Sequence, residues 1–220
     1  MKQSIFDPSM LEHRSIFEAM RRAQEYMKGR VLDLGAGEQP YRAFADSHAN
    51  EYIALDLAVS RNKRPDVCAD SLRLPFKDCA FDTVICTQVA EHVKDPFLMF
   101  SEVSRVLKSG GHLVLTAPQA WPLHEEPYDF FRYTKYGLMF LAKRSGLEVV
   151  DISERHGAFV ALGQIFATAV YERCGKRRLT RILSKMFLVP FTILCRFLDK
   201  IWYDPRFTMG YLLIALKSGR

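Results

Sequence analysis

The chain has 220 residues, of which 49% are hydrophobic and 25% charged, and a formal net charge of +6. Length and composition fit one soluble globular domain with a sizeable core, spanning residues 1–220. Five cysteines, odd in number and with no C-x-x-C pair, argue against a disulfide framework or a zinc site and point to a reducing, cytoplasmic setting.

Taken in chain order, residues 1–8 hold no apolar core of signal-peptide length, and residues 1–28 form an N-terminal helical segment. Within it, residues 15–27 carry Ile16, Ala19, Met20, Ala23 and Met27 at helical spacing. Residues 30–34 read as a first strand, and Pro40 suits the first turn of a following helix. Further strands are expected at 51–57, 66–69, 81–87, 112–117 and 147–154. Phe97, Phe100, Val103, Val106 and Leu107 define an amphipathic helix over 96–107. Lys108-Ser109-Gly110-Gly111 would stop it. Residues 134–145 read as another helix, ended by Gly146. Strands alternating with helices predict a doubly wound parallel sheet. Residues 157–208 are too many for a plain connection and must contain helices of their own, before a last strand at 211–216.

The most informative run is Val31-Leu32-Asp33-Leu34-Gly35-Ala36-Gly37. A buried strand ends there in a tight Gly-x-Gly loop that a ligand can approach closely. A dinucleotide fingerprint would continue to a third small residue, but Pro40 occupies that position. Asp56 closes the second strand, where a carboxylate can accept from ribose hydroxyls. Asp70 follows the third strand, in reach of an adenine amino group. Asp33 is expected to accept from nearby backbone N–H groups or to face a cationic ligand.

The opening run, Tyr52-Ile53-Ala54-Leu55-Asp56 and Asp70-Ser71-Leu72-Arg73-Leu74-Pro75-Phe76 resemble the first motifs of class I S-adenosylmethionine-dependent methyltransferases. Phe81-Asp82-Thr83-Val84-Ile85-Cys86, Glu91-His92-Val93 with Asp95-Pro96, and the run Glu102 to Gly111 continue the likeness over residues 29–118. The resemblance implies a Rossmann-like α/β fold with a seven-stranded sheet, its antiparallel last strand inserted beside the fifth. It implies S-adenosyl-L-methionine as cofactor, with Asp33, Gly35, Ala36 and Gly37 around its methionine part. Asp56 would bind the ribose, Leu57 would line the adenine, and Asp70, Ser71 and Leu72 would hold its amino group. Gln88 would lie near the sulfonium. Methyl transfer from an activated donor requires alignment and exclusion of water, so no metal is expected; an acceptor hydroxyl also needs a base. His92 is the candidate nearest the cofactor motifs.

A second dense cluster, Trp121 to Thr134, mixes aromatics with His, Asp and Arg, an inventory suited to a polar acceptor. It resembles a stretch of methyltransferases of bacterial surface-polysaccharide synthesis. His124 and Asp129 are the acid/base candidates there, with Arg132 and Tyr133 as acceptor contacts. The alternative is a structural loop in which Asp129 pairs with Arg132.

Positive charge is concentrated late. Residues 172–200 hold eight Lys and Arg against Glu172 and Asp199, so a protein-wide nucleic-acid surface is not expected. Two amphipathic helices, 176–188 and 191–202, are expected on either side of Pro190. Their longest uncharged stretch is too short to span a bilayer. They would cap the acceptor site, form a homodimer contact, or lie on the inner face of an anionic membrane. The expected activity is methyl transfer to a small-molecule, saccharide or lipid-linked acceptor. An NAD-linked oxidoreductase and a non-catalytic cofactor-binding scaffold are the alternatives.

Overall fold

The computed structural model describes residues 10–57, 64–174 and 178–219, with the side chains of 10, 178, 179, 181–183 and 185 outside the description. Seven strands form one sheet: β1 Gly29–Leu34, β2 Ala49–Asp56, β3 Val67–Cys68, β4 Phe81–Thr87, β5 Leu107–Pro118, β6 Leu147–Glu154 and β7 Gly210–Lys217. Their order across the sheet is β3-β2-β1-β4-β5-β7-β6. β7 runs antiparallel between β5 and β6, as expected. The chain reverses its direction of progress between β1 and β4, so the crevice beyond their carboxyl ends is the switch point where ligands bind in such sheets.

Alternate residues along the strands serve opposite faces. Leu32, Leu34, Val84, Cys86, Leu113 and Leu115 pack with α3 (Pro96–Val106) and α4 (Lys135–Arg144). Val31, Ile85, Val114, Leu212 and Ile214 pack with α1 (Met10–Ala23) and Ala45 of the four-residue α2 (Arg42–Ala45). Asp95 and Thr134 cap α3 and α4 by accepting from Leu98 N and Gly137 N. Arg155, wholly buried after β6, donates to Glu12 and Ser15 of α1 and ties that helix to the sheet.

Three local expectations are corrected. Pro40 does not stand in the first turn of the next helix: it precedes Tyr41, the N-cap of the one-turn helix Arg42–Ala45. Residues 108–111 do not end α3 before a separate strand but bulge within β5, whose Leu107 already pairs with Phe81. Pro190 does not divide the late segment: α6 runs unbroken over Arg178–Ile201. Proline removes one helical hydrogen bond, and burial of Leu188, Thr192, Cys195 and Asp199 on either side of it accompanies the unbroken helix. α6 presses on α5 (Ala158–Cys174) so closely that a Cβ on Gly163 would stand 2.6 Å from Cys195 Sγ. Asp199 of α6 also accepts from Gly157 N and Phe159 N at the start of α5. Residues 1–8 and the basic positions Lys176 and Arg177 lie outside the described residues. Among the described residues no helix is long and apolar enough to cross a membrane.

Gly35 and Gly37 both have positive φ, +71° and +48°, but their surroundings differ. A Cβ on Gly35 would lie 2.3 Å from Val89 Cγ2, whereas one on Gly37 would meet nothing within 4 Å. Gly37→Ala should therefore cost only the left-handed strain, about 1–2 kcal/mol. Gly35→Ala adds overpacking of about 1–3 kcal/mol to that strain. Urea unfolding should show the larger loss at Gly35, and equal losses would contradict this packing.

Candidate active site at the carboxyl edge of the sheet

The loop after β1 is held from β2. Gly35 N and Ala36 N donate to Leu55 O, at 2.8 and 3.0 Å. Gly37 N donates to Asp56 Oδ2 at 2.8 Å. Asp56 therefore fixes the loop as well as facing the crevice at its strand end. Asp33 is buried, and the Tyr52 hydroxyl donates to it from the neighbouring strand. Burial and this anion push the Tyr52 phenol far above its ordinary range, so it stays a donor. Asp70 is exposed and accepts from Leu72 N at 2.9 Å. Ser71 is buried and Leu57 exposed. Gln88, at φ +55°, donates from its side chain to Thr116 Oγ1 at 3.2 Å, so β5 anchors it at the end of β4.

This cradle has the features a nucleoside methionine ligand needs. Open space stands at Gly37 where a side chain would intrude, backbone approaches closely, and carboxylates end β2 and follow β3.

Val89, packed against Gly35, leads directly into a short turn, Ala90–His92. The acceptor-side loop folds onto that turn. Phe130 N and Phe131 N donate to Glu91 O at 2.8 and 3.2 Å, and the Tyr133 hydroxyl donates to Ala90 O. His92 Nδ1 lies 2.8 Å from Tyr128 O. The result is that His92 and His124 meet edge to face, ring centroids 4.7 Å apart.

Asp129 organises the loop. Its carboxylate, almost wholly buried, accepts from Arg132 Nη1 and Nη2 at 2.6 and 2.7 Å and from His124 N at 3.0 Å. His124 Nδ1 is 3.2 Å away. The Arg132 guanidinium, foremost, holds this carboxyl well below the usual range. Asp129 thus stays ionised and orients His124. Arg132 also donates to Trp121 O and Pro122 O, and Tyr133 is buried. The polar groups of both, expected to touch an acceptor, also shape the loop.

Glu91 is the residue to which sequence reasoning gave no role. It has no exposed surface, and neither carboxylate oxygen has a hydrogen-bond partner on another described residue. Burial, the dominant cause, pushes its carboxyl up to about 8. The available signal was an acid set between Val89-Ala90 and His92-Val93, where no strand or helix face leads it to water.

Because the Glu91 carboxyl is raised from 4.5 to about 8, the folded protein binds the extra proton between those values. Its contribution to stability is full below pH 4.5 and is lost as pH rises through 8. Urea unfolding of Glu91→Gln should lack this decline, so the variant gains stability relative to wild type from pH 5 to 8. Parallel pH profiles would contradict the assignment.

Residues 32–115 match a family model described as a methyltransferase domain. A demethylmenaquinone methyltransferase of Beutenbergia cavernae is 31% identical over 135 residues, 57% of this chain and 56% of that protein. The chain spans less than two thirds of the length of such curated relatives. An S-adenosylmethionine-dependent methyltransferase structure from Mesorhizobium loti superposes with a TM-score of 0.61 at 19% identity, covering 94% of this chain and 99% of that one. Phosphoethanolamine N-methyltransferase 2 of Haemonchus contortus, in complex with phosphomonomethylethanolamine and S-adenosylhomocysteine, gives 0.59 at 16% identity, covering 92% of this chain and 53% of that one. With the sheet order, the glycine loop and its acidic partners already described, these likenesses show that residues 32–115 are similar to a methyltransferase domain and that the chain has the fold of the methyltransferase structures it superposes on.

Proposed function

We propose that this protein methylates a hydroxyl-bearing acceptor, a small saccharide or a lipid-linked one, in the crevice between the Gly35–Gly37 loop and the loop 121–134. One observation carries the reading: the contact of Val89 with Gly35 sets the His92–His124 pair beside a glycine loop clasped by Asp56. When bound, S-adenosylmethionine supplies an electrophilic methyl group on a sulfonium sulfur. The chain's own work is to hold, align and exclude water. Asp33, Gly35, Ala36 and Gly37 would receive the methionine part and Asp56 the ribose. Leu57, Asp70, Ser71 and Leu72 would take the adenine, with Gln88 beside the sulfur.

His92 and His124 face the acceptor side with defined tautomers. His92 Nδ1 points at a carbonyl, which only accepts, so it carries the proton. His124 Nδ1 lies between Pro122 O and the Asp129 carboxylate, both acceptors. In this tautomer each ring offers its Nε2 lone pair to a hydroxyl proton. Incubation of a cell extract with labelled cofactor should give one methylated, glycan- or lipid-extractable product. His124→Ala should lower its rate by about 100-fold or more. No labelled product with a cofactor-binding protein would favour the scaffold reading.

Exposed Met186, Phe187, Ile193, Leu194, Phe197, Ile201 and Trp202 crowd one segment that also carries Lys176, Arg177, Arg178, Arg181 and Lys185. Exposed apolar side chains in a segment whose sequence is rich in Lys and Arg suit an anionic membrane, which would bring α6 and a lipid-linked acceptor together. Vesicles with phosphatidylglycerol should retain the protein at low salt and release it at high salt. Replacing the five basic residues should abolish retention; absence of wild-type binding would reject the membrane contact.

A further inference from the structure

We propose that Glu91, His92 and His124 form a binding site for a divalent transition-metal ion, which holds the acceptor's oxygen in front of the methyl donor. The inference deepens the methyl-transfer reading and rests on it for the role of the metal, though not for its binding. One donor atom from each of the three residues lies within 4.8 Å of the other two. Donors around a bound ion, at bond lengths of about 2.0–2.2 Å, stand roughly 3–3.5 Å apart. Modest side-chain rotation therefore closes the set. His92 and His124 sit on the turn and the loop that line the crevice, each with part of its ring open to solvent.

Three independent features prepare these side chains for a cation. First, both imidazoles are fixed with the proton on Nδ1 and the lone pair on Nε2, by Tyr128 O at 2.8 Å and by Pro122 O and Asp129 Oδ2 at 3.2 Å. A carbonyl or carboxylate behind the far ring nitrogen is the arrangement that orients metal-bound histidines. Secondly, the wholly buried Glu91 carboxylate has no partner on another described residue. A polar group so placed is costly unless something pairs with it. Thirdly, Glu125 Oε2 stands 3.9 Å from His92 Nε2 at the solvent side, so a further oxygen lies near where a cation would enter.

Two imidazole nitrogens and one carboxylate select an ion of the manganese, iron, cobalt or zinc type over magnesium or calcium, which prefer all-oxygen shells. Three protein donors leave open positions for a substrate. With an ion bound, the Nε2 lone pairs serve the metal in place of a hydroxyl proton, and an acceptor with two neighbouring oxygens, such as a vicinal diol or a hydroxyketone, could occupy the open positions and lose its hydroxyl proton to solvent. The oxygen then forms its bond to the methyl carbon as the carbon–sulfur bond breaks. The methyl ether and neutral S-adenosylhomocysteine leave, with one proton released.

The test is titration of the chelator-stripped protein with Co2+, followed by calorimetry and visible absorption, with S-adenosylhomocysteine binding measured on the same samples. Wild type should bind one Co2+ per chain and develop ligand-field bands. Glu91→Gln and His124→Ala should each weaken Co2+ by at least about tenfold while S-adenosylhomocysteine binding changes less than twofold. Should Glu91→Gln fail to fold, His124→Ala on its surface loop carries the same comparison. Absence of saturable Co2+ binding, or affinity unchanged in these variants, overturns the metal site even if S-adenosylhomocysteine binds normally. Co2+ binding without S-adenosylhomocysteine binding would leave the site standing and remove the methyl-transfer reading.

Discussion

The contact between Gly35 and Val89 is the constraint on which the rest of the site depends. It lies at the switch point, where the loops after β1 and β4 leave the sheet in opposite senses. A side chain at Gly35 would occupy the space of Val89, so glycine lets the two loops touch. One loop then leaves open space beside its backbone at Gly37. The other carries Glu91 and His92 straight into the same crevice. The electrostatic reach of both Glu91 and Asp33 to buried Cys86, whose thiol is pushed up by burial first and by these acids second, reflects that convergence.

Two buried aspartates support the opposite walls. Asp33, held by Tyr52, stiffens β1 against β2 beneath the glycine loop. Asp129 accepts from both ends of the 121–134 segment, from His124 and from Arg132. Bidentate pairing with arginine is strong and directional, so it gives a loop without regular secondary structure a defined shape. That shape is what fixes the His124 tautomer. The loop is also fastened to the turn below through Phe130, Phe131 and Tyr133.

Much of this was legible in the sequence, for physical reasons. β4 and β6 fall where alternation and length placed them, because buried strands bounded by polar turns leave a strong local signal. The inserted antiparallel β7 came from family resemblance, since no local pattern encodes strand order. Pro190 misled because a proline's effect on a helix depends on what the helix packs against. The Gly110-Gly111 pair misled because a bulge and a helix stop use the same residues. In the site, Asp56 and Asp70 were visible at strand ends, but the clasp of Asp56 on Gly37 was not. The Tyr52 bond to Asp33 requires knowing that β1 and β2 are neighbours. That Arg132 and Tyr133 also hold the loop together was not legible, because donors read alike whether they serve a substrate or a loop. Glu91 was passed over because burial without a partner is a property of the folded chain alone.

The central claim is that the Gly35–Gly37 loop, clasped by Asp56, is the cradle of a methyl donor and not of a dinucleotide. Calorimetry with S-adenosylmethionine and with NAD, on wild type and on Asp56→Ala, tests it most directly. The account predicts saturable one-to-one binding of S-adenosylmethionine, none of NAD, and loss of at least about tenfold in affinity in the variant, since a charge-assisted hydrogen bond and the loop's anchor go together. Binding of NAD in place of S-adenosylmethionine, or an affinity for S-adenosylmethionine indifferent to Asp56, would contradict it.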